Sequence, residues 1–337
     1  MRRYISIKRA SALIKGFKSA KVLVIGDLIM DHFIWGKVKR ISPEAPVPVV
    51  EVTSESLMLG GSANVVNNIS SLGGRSFVTG VVGEDADGRN LLRLLREKGI
   101  PCSGIVIDRK RPTTIKTRVI AHSQQVVRFD REKKDGIEQD TAKKVLNCIT
   151  RAARAADVVI ISDYAKGLIS SPLVEETVRE CRRFGKPLLI DPKVEHFDYY
   201  KGAAMVTPNN IEAALASGVD IDGPDSLKKA GETLLKRLGC EALLITRGER
   251  GMSLFEAFDA DSRQTDIPTV AQEVFDVSGA GDTVIAVLAL AMASDASYKE
   301  AAVLANFAAG VVVGKIGTAA LTEDELMSAV TAGLKKP

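Results

Sequence analysis

The segment Asp276-Val-Ser-Gly-Ala-Gly-Asp282-Thr283 holds residue types suited to phosphoryl chemistry. Gly279, Ala280 and Gly281 stand between a strand-like run and an apolar stretch over 284–293 that reads as a helix. Small residues at a helix start leave backbone N–H groups free and approachable, which makes an anion site. Negative charge building on a phosphoryl group in transfer would be stabilised there. Asp282 begins the same helix and has two readings. It is an N-cap aspartate, or a carboxylate beside the cradle that takes the proton of an attacking hydroxyl. A cap does not need three consecutive small residues before it, whereas backbone approached by a phosphate does. No G-x-x-x-x-G-K-[ST] loop occurs in the chain, so the phosphates are not held as in a P-loop enzyme.

Four further segments could complete such a site. Gly60 and Gly61 precede a second helix whose first turn carries Asn64. This is an ordinary glycine turn, or a place where open backbone and the Asn64 amide meet sugar hydroxyls. Asp27 and Asp31 lie past the first strand, outside whose carboxyl end open α/β sheets bind ligands. Each could hold hydroxyls or be a solvated loop carboxylate. Asn209 and Glu212 are three apart at a helix start and share a face. They cap the helix together, or they hold the water shell of Mg²⁺, which touches few carboxylates directly. Thr246-Arg247-Gly248 after a strand offers a hydroxyl and backbone to a nucleotide phosphate.

The elements that must position these residues alternate. Lys21–Gly26 reads as a buried strand, and 35–52 as strand pieces broken by Pro43, Pro46 and Pro48. Helices are expected over 6–17, 63–72 and 87–98, with a strand over 77–82 between the last two. Residues 105–131 alternate apolar and polar, with a turn near 122–124. They are expected to form antiparallel strands paired with 35–52 in a small sheet. From residue 140 the order is helix, strand, helix, strand, with strands over 158–162, 187–191, 205–207 and 242–246. The helices fall near 140–154, 171–184, 210–216 and 225–238. Such alternation predicts a parallel sheet covered on both faces. A hairpin near 252–274 and helices from 280, 298 and 323 complete the chain. The expected architecture is α/β, a three-layer α/β/α domain over 1–337 with a small β lid from about 34–52 and 103–131.

Composition excludes several classes. A net charge of +4 over 337 residues gives no basic face for nucleic acid. No apolar run is long enough to span a membrane. Cys102, Cys148, Cys181 and Cys240 form no C-x-x-C pair and are expected as reduced thiols; three histidines are too scattered for a zinc site. The N-terminus lacks the pattern of a secretion signal, so the cytoplasm is the expected compartment.

GGSAN (60–64) and DVSGAGD (276–282) resemble the paired signatures of the PfkB or ribokinase family. TPNNIE (207–212) and ITRG (245–248) look like its N-x-x-E and T-x-G motifs, in family order over most of the chain. The resemblance implies a ribokinase-like fold and an ATP-dependent carbohydrate kinase. Asp282 would be the base, and Gly279, Ala280 and Gly281 the anion hole. Asn209 and Glu212 would sit at the Mg²⁺–phosphate end, with Glu212 reaching the metal through water. Asp27, Gly60, Gly61 and Asn64 would sit at the sugar. It also implies ATP and Mg²⁺ as cofactors, with a monovalent cation beside the anion-hole loop in some members.

RISPEAPVPVV (40–50), SDYAKG (162–167), IDPK (190–193) and DVSGAGDTV (276–284) are similar to one branch. That branch phosphorylates the anomeric hydroxyl of D-glycero-β-D-manno-heptose 7-phosphate on the way to ADP-heptose and the lipopolysaccharide core. Val277 in place of the family's usual Thr, and Val284 in place of its common Phe, agree with this branch. No H-x-G-H motif is present, so the chain reads as a stand-alone kinase or the kinase part of a longer protein. A sugar phosphate needs cations, and the candidates are Arg118, Arg128, Lys166 and, first among them, Lys193. Each is otherwise a solvated surface charge. An exposed lid face predicts a homodimer. The rivals are a kinase of another sugar, sugar phosphate or nucleoside, and a non-catalytic nucleotide-binding regulator. A dehydrogenase is disfavoured because the first strand ends without a G-x-G-x-x-G turn.

Overall fold

The computed structural model describes residues 1, 4–122, 124–258, 261–271, 275–315, 317 and 319–335. Ser6 accepts from the Arg9 amide and starts α1 (Ile7–Gly16). β1 (Lys21–Gly26) is aliphatic and buried. The chain then leaves the core as β2 (Leu28–Ile41) and returns as β3 (Pro48–Gly61) into α2 (Ser62–Ser71). β4 (Arg75–Gly83), α3 (Ala86–Glu97), β5 (Ile105–Asp108), β6 (Thr114–Ala121) and β7 (Gln124–Arg131) follow. α4 (Gln139–Ala155), β8 (Val158–Ser162), α5 (Ser171–Phe184) and β9 (Leu188–Asp191) then alternate. They lead to β10 (Met205–Val206), α6 (Asn210–Ser217), α7 (Pro224–Leu238) and β11 (Ala242–Thr246). The hairpin of β12 (Met252–Phe258) and β13 (Asp261–Ile267) precedes α8 (Ala280–Ala293), α9 (Tyr298–Val312) and α10 (Glu323–Lys335). Residues 259–260 and 272–274 of the expected hairpin stretch lie outside the described residues.

Among the described residues, nine strands form one sheet in the order β13-β12-β11-β10-β9-β8-β1-β4-β5. Pairing is parallel from β11 to β5, and only the β11–β12 and β12–β13 pairs are antiparallel. Successive residues of β1 point to opposite faces. Val22 and Val24 join the core under α1, α2, α8, α9 and α10, whereas Leu23 and Ile25 join the core under α4, α5 and α7. This is the three-layer α/β/α arrangement. α8 is apolar all round and buried from Asp282 to Ala291, as befits a helix at the centre of a layer. All four cysteines are free thiols.

The second sheet has four strands in the order β3-β2-β6-β7. Two expectations change here. β5 pairs in parallel with β4 and extends the large sheet, so the small sheet takes only 114–131 from that region. Its β2–β6 pair is parallel, not antiparallel. β2 and β3 are 14 residues each, longer than expected, because the prolines do not interrupt them. Pro43 and Pro46 lie in the connection, and Pro48 is the first residue of β3.

Candidate active site

The carboxyl ends of the parallel strands bring the singled-out residues to one edge. Asp27 follows β1, Asp163 follows β8, Asp191 ends β9, Thr207 follows β10 and Thr246 ends β11. The N-terminal turns of α2 and α8 reach the same edge, and they meet. Asn64, buried in the first turn of α2, donates its Nδ2 to Asp282 Oδ2 at 2.8 Å. Asn68, one turn on, donates to Asn64 Oδ1 at 3.3 Å and accepts from the Thr283 hydroxyl at 3.1 Å.

Asp282 is not the N-cap of α8. Gly279, in the left-handed region at φ 77°, occupies that position, and Asp282 is the third helical residue. The residue is 3% exposed. Oδ2 is taken by Asn64, and Oδ1 accepts from the Tyr164 hydroxyl at 2.7 Å. Burial pushes this carboxyl up to about 6, opposed by the Tyr164 and Asn64 hydrogen bonds. Asp31 pushes further up and Lys116 pulls back down. A carboxylate with that value is charged near neutral pH yet basic enough to accept a proton. A Cβ added at Gly281 would meet nothing within 4 Å, so the backbone of this turn is open on that side, although the Ala280 amide donates to the Val277 carbonyl at 3.2 Å.

Asp27 is placed differently from the expectation of an open sugar ligand. Its carboxylate is buried and accepts from the amides of Tyr164 (3.0 Å), Lys166 (3.1 Å) and Leu168 (3.3 Å). Burial and the neighbouring Asp163 hold it up, at about 6, against those amides. Asn64 likewise spends both ends of its amide inside the protein. Asp31, buried on β2, pairs with Arg118, whose guanidinium lies 5.2 Å from the Phe33 ring centre. Gly60 leaves room for this: a Cβ there would come within 2.3 Å of Asp31 Oδ2. Gly61, at φ 56°, would bring a Cβ within 2.7 Å of the Asp27 carbonyl oxygen.

The cations separate into groups. Arg118 sits in the cleft on Asp31, and Lys166 pairs with Glu132 at 2.6 Å. Arg128, half exposed, pairs with its near neighbour Asp130 at 3.1 Å. Lys193 pairs with Glu212 at 3.0 Å. Burial works against the Lys193 charge, but Glu212 and Asp191 outweigh it and raise its pKa. Sequence reading missed Lys116. It stands on β6 opposite Asp31 and over the Tyr164 ring, 4.9 Å from its centre. Its ammonium makes no hydrogen bond or ion pair among the described residues. Burial lowers its pKa, as do the charges of Lys166 and Arg118, against the pull of Asp31. Period-two spacing from Arg118 puts Lys116 on the same strand face, but alternation alone does not say which face looks into the cleft.

At the other end Asn209 and Glu212 form a complete capping box on α6. Asn209 Oδ1 accepts from the Ile211 and Glu212 amides, and Glu212 Oε2 accepts from the Asn209 amide at 3.0 Å. Glu212 Oε1 faces Lys193. Asp191 was also missed, although it ends a strand as Asp27 follows one. Its carboxylate makes no hydrogen bond among the described residues. Burial, then the charges of Asp282 and Glu212, raise its pKa well above the carboxylate range. Beside this end lies a cavity of about 500 Å³ lined by Thr246, Gly248, Ala280, Gly281, Val284 and Asn306. Its size and mostly apolar walls with few polar groups suit one small organic ligand.

Residues 19–325 match the family described as pfkB family carbohydrate kinase. The chain belongs to this family. pfkB kinases are phosphotransferases with an alcohol group as acceptor, and that reaction class is the chain's own. The chain is 45% identical over 323 residues to the bifunctional protein HldE of Geotalea uraniireducens, covering 96% of this chain and 65% of that protein. It is 46% identical over 310 residues to the HldE of Desulfatibacillum aliphaticivorans, covering 92% and 63%. The chain therefore spans 63–65% of the length of these relatives. The fold is similar to phosphofructokinase-2 from Escherichia coli in complex with substrates and products, with a TM-score of 0.78 at 18% identity over 94% of this chain and all of that one. It is also similar to Arabidopsis thaliana ribokinase complexed with ribose and ATP, with a TM-score of 0.73 at 19% identity over 94% of this chain and 99% of that one. These two likenesses establish the pfkB-type, ribokinase-like fold. Among the described residues no helix is long and apolar enough to cross a membrane.

Proposed function

We propose that the chain transfers the γ-phosphoryl group of ATP to the anomeric hydroxyl of D-glycero-β-D-manno-heptose 7-phosphate. The product would be the 1,7-bisphosphate, a precursor of ADP-heptose for the lipopolysaccharide core. Support for the sugar comes from the branch-specific segments at 40–50, 162–167, 190–193 and 276–284 and from the identity with the HldE proteins. The observation that carries a phosphorylated acceptor is Lys116. It is an unpaired, largely enclosed ammonium grouped with Arg118 and Lys166 on the acceptor side of Asp282. A cation without a carboxylate partner in such a place is costly unless a ligand brings the negative charge. Lys193, ranked first from sequence, is committed to Glu212 and belongs to the nucleotide side in this reading.

Asp282 takes the proton of the attacking hydroxyl, with Asn64 as its positioning partner rather than a sugar ligand. The amides of Gly279 and Gly281 stabilise charge on the transferring group, while that of Ala280 is held by the Val277 carbonyl. Asp31 and Arg118 together present an acceptor and donors to the sugar end, and Gly60 gives them room. ATP lies along the cavity past Thr246 and Gly248. Mg²⁺ fits the acidic end near Glu212, where Asp191 leaves its carboxylate without a hydrogen bond, and both would hold the ion largely through water. Bound there, Mg²⁺ would supply charge neutralisation of the nucleotide phosphates. The small sheet acts as the lid that excludes water. Its exposed Val52, Val127 and Phe129 form the face through which two copies pair.

The test is ADP release from Mg-ATP with the heptose 7-phosphate, run beside fructose 6-phosphate, ribose and adenosine. A clear preference for the heptose phosphate is expected. Turnover with an unphosphorylated acceptor alone would overturn the role given to Lys116. ATP binding without turnover on any acceptor would favour a regulatory protein.

A further inference from the structure

The loop between β8 and α5 is held far more firmly than a connection requires. Ala165 adopts φ 52°, a left-handed conformation that residues with a Cβ rarely take and that persists only when the surroundings enforce it. The enforcing contacts converge on 163–168. The buried Asp27 carboxylate accepts from three of the loop's amides. Asp163, also buried, accepts from the Ala165 amide at 2.7 Å, from His196 Nδ1 at 2.6 Å and from the Tyr200 hydroxyl at 2.7 Å. Arg111 donates to the carbonyls of Lys166 and Lys133. The side chain of this loop that touches Asp282 is Tyr164. Its ring lies under the ammonium of Lys116 at 4.9 Å and near that of Lys193 at 5.7 Å. Its hydroxyl donates to Asp282 Oδ1 at 2.7 Å.

We propose that Tyr164 is a positioning residue for Asp282, holding the carboxylate in one orientation and in its ionised form. The inference goes beyond the kinase reading, although its catalytic meaning rests on Asp282 being the base. A carboxylate enclosed as this one is would otherwise drift toward the neutral acid, which cannot take a proton. The groups facing it are Asn64 on α2, Asp31 on β2, Lys116 on β6, Tyr164 on the loop and Asp191 on β9. Asp31 and Asp191 oppose its charge, Lys116 favours it, and the two hydrogen-bond donors tip the balance toward the ion. Asp27 acquires a purpose in this arrangement: it fixes the loop that fixes the tyrosine.

The experiment is a carbon-13 NMR titration of the Asp282 carboxyl in the substrate-free full chain, in the parent protein and in Tyr164→Phe. Asp282→Asn assigns the resonance. Loss of one charge-assisted hydrogen bond should move the titration upward by about one pH unit. The acid limb of kcat/KM for the acceptor should move with it, while KM for ATP stays unchanged. An unmoved carboxyl titration in Tyr164→Phe overturns the inference, even if the rate falls at every pH. Were the phenylalanine variant not to fold, Asp27→Asn loosens the same loop and should move the Asp282 titration in the same direction; no movement there again overturns it. Full turnover by Asp282→Asn would instead remove the base itself, and the NMR result distinguishes the two failures.

Discussion

At the scale of single residues, the site is organised by how Asp282 is held charged. Its carboxyl is pushed up to about 6 in the folded protein, from an ordinary value of 3.8. A general base must be deprotonated, so kcat/KM for the acceptor should fall as pH drops through about 6 and level off above it. A pH–rate profile without that acid limb would exclude Asp282 as base. Asp282→Asn should lower kcat by about 10²–10⁴-fold, the usual contribution of a general base, while ATP binding measured by calorimetry persists. The same substitution should stabilise the fold. A carboxyl whose folded pKa is raised binds protons more tightly when folded. Its ionisation therefore costs stability as pH rises from about 4 to about 6, by up to about 3 kcal/mol above that window. Thermal or denaturant unfolding at pH 7.5 should show Asp282→Asn to be more stable by about 1–3 kcal/mol; a large loss would contradict the account of the burial cost. The motif that carries Asp282 is legible in sequence because three small residues before an acid at a helix start have few other uses. Tyr164 was not legible. Its hydroxyl meets a residue 118 positions away, and although SDYAKG (162–167) stands out as a segment, nothing in it says that the tyrosine reaches Asp282.

At the scale of elements, the turns before α2 and α8 are where chain geometry and chemistry are one. Gly60 is the clearest case, since a methyl group there would displace the Asp31 carboxylate and with it Arg118. Gly60→Ala should raise KM for the acceptor by roughly tenfold or more, equivalent to about 1.4 kcal/mol, with KM for ATP unchanged. Equal changes in both constants would mean that the turn, not the Asp31–Arg118 pair, had been damaged. Most helices were legible from apolar spacing and their stop signals, and at α6 from the Asn209–Glu212 box; the capping roles of Ser6 and Asp85 at α1 and α3 emerge only in the structure. The Asn209–Glu212 pair also shows the limit of such reading. The capping role is present in the structure, and sequence had no means of weighing it against a metal role. The allegiance of β5 was not legible either. Four alternating residues suit either sheet, and the choice was made by an open edge on β4. Proline signals misled over β2 and β3, because their local effect ended in the connection between two long strands.

At the scale of the whole molecule, two bodies of different character meet at the cleft. The small sheet presents Phe129, 55% exposed, with Val52 and Val127, surface that water tolerates poorly. If two copies pair there, Phe129→Asp should give a monomer by analytical ultracentrifugation at concentrations where the parent is a dimer. A parent that sediments as a monomer throughout would dismiss the pairing. The large sheet was legible from its rhythm of alternating elements, whereas the meeting of its carboxyl edge with the small sheet depends on contacts across most of the chain. α8 has a consequence of another kind. The helix that carries the proton acceptor is buried from Asp282 to Ala291, so its amides beyond the open first turn should exchange with deuterium only when the molecule opens globally. The exposed strand β7 should exchange orders of magnitude sooner. On slow warming, acceptor KM should therefore begin to rise while kcat still climbs. The machine that moves the phosphate would be the last part of the protein to melt.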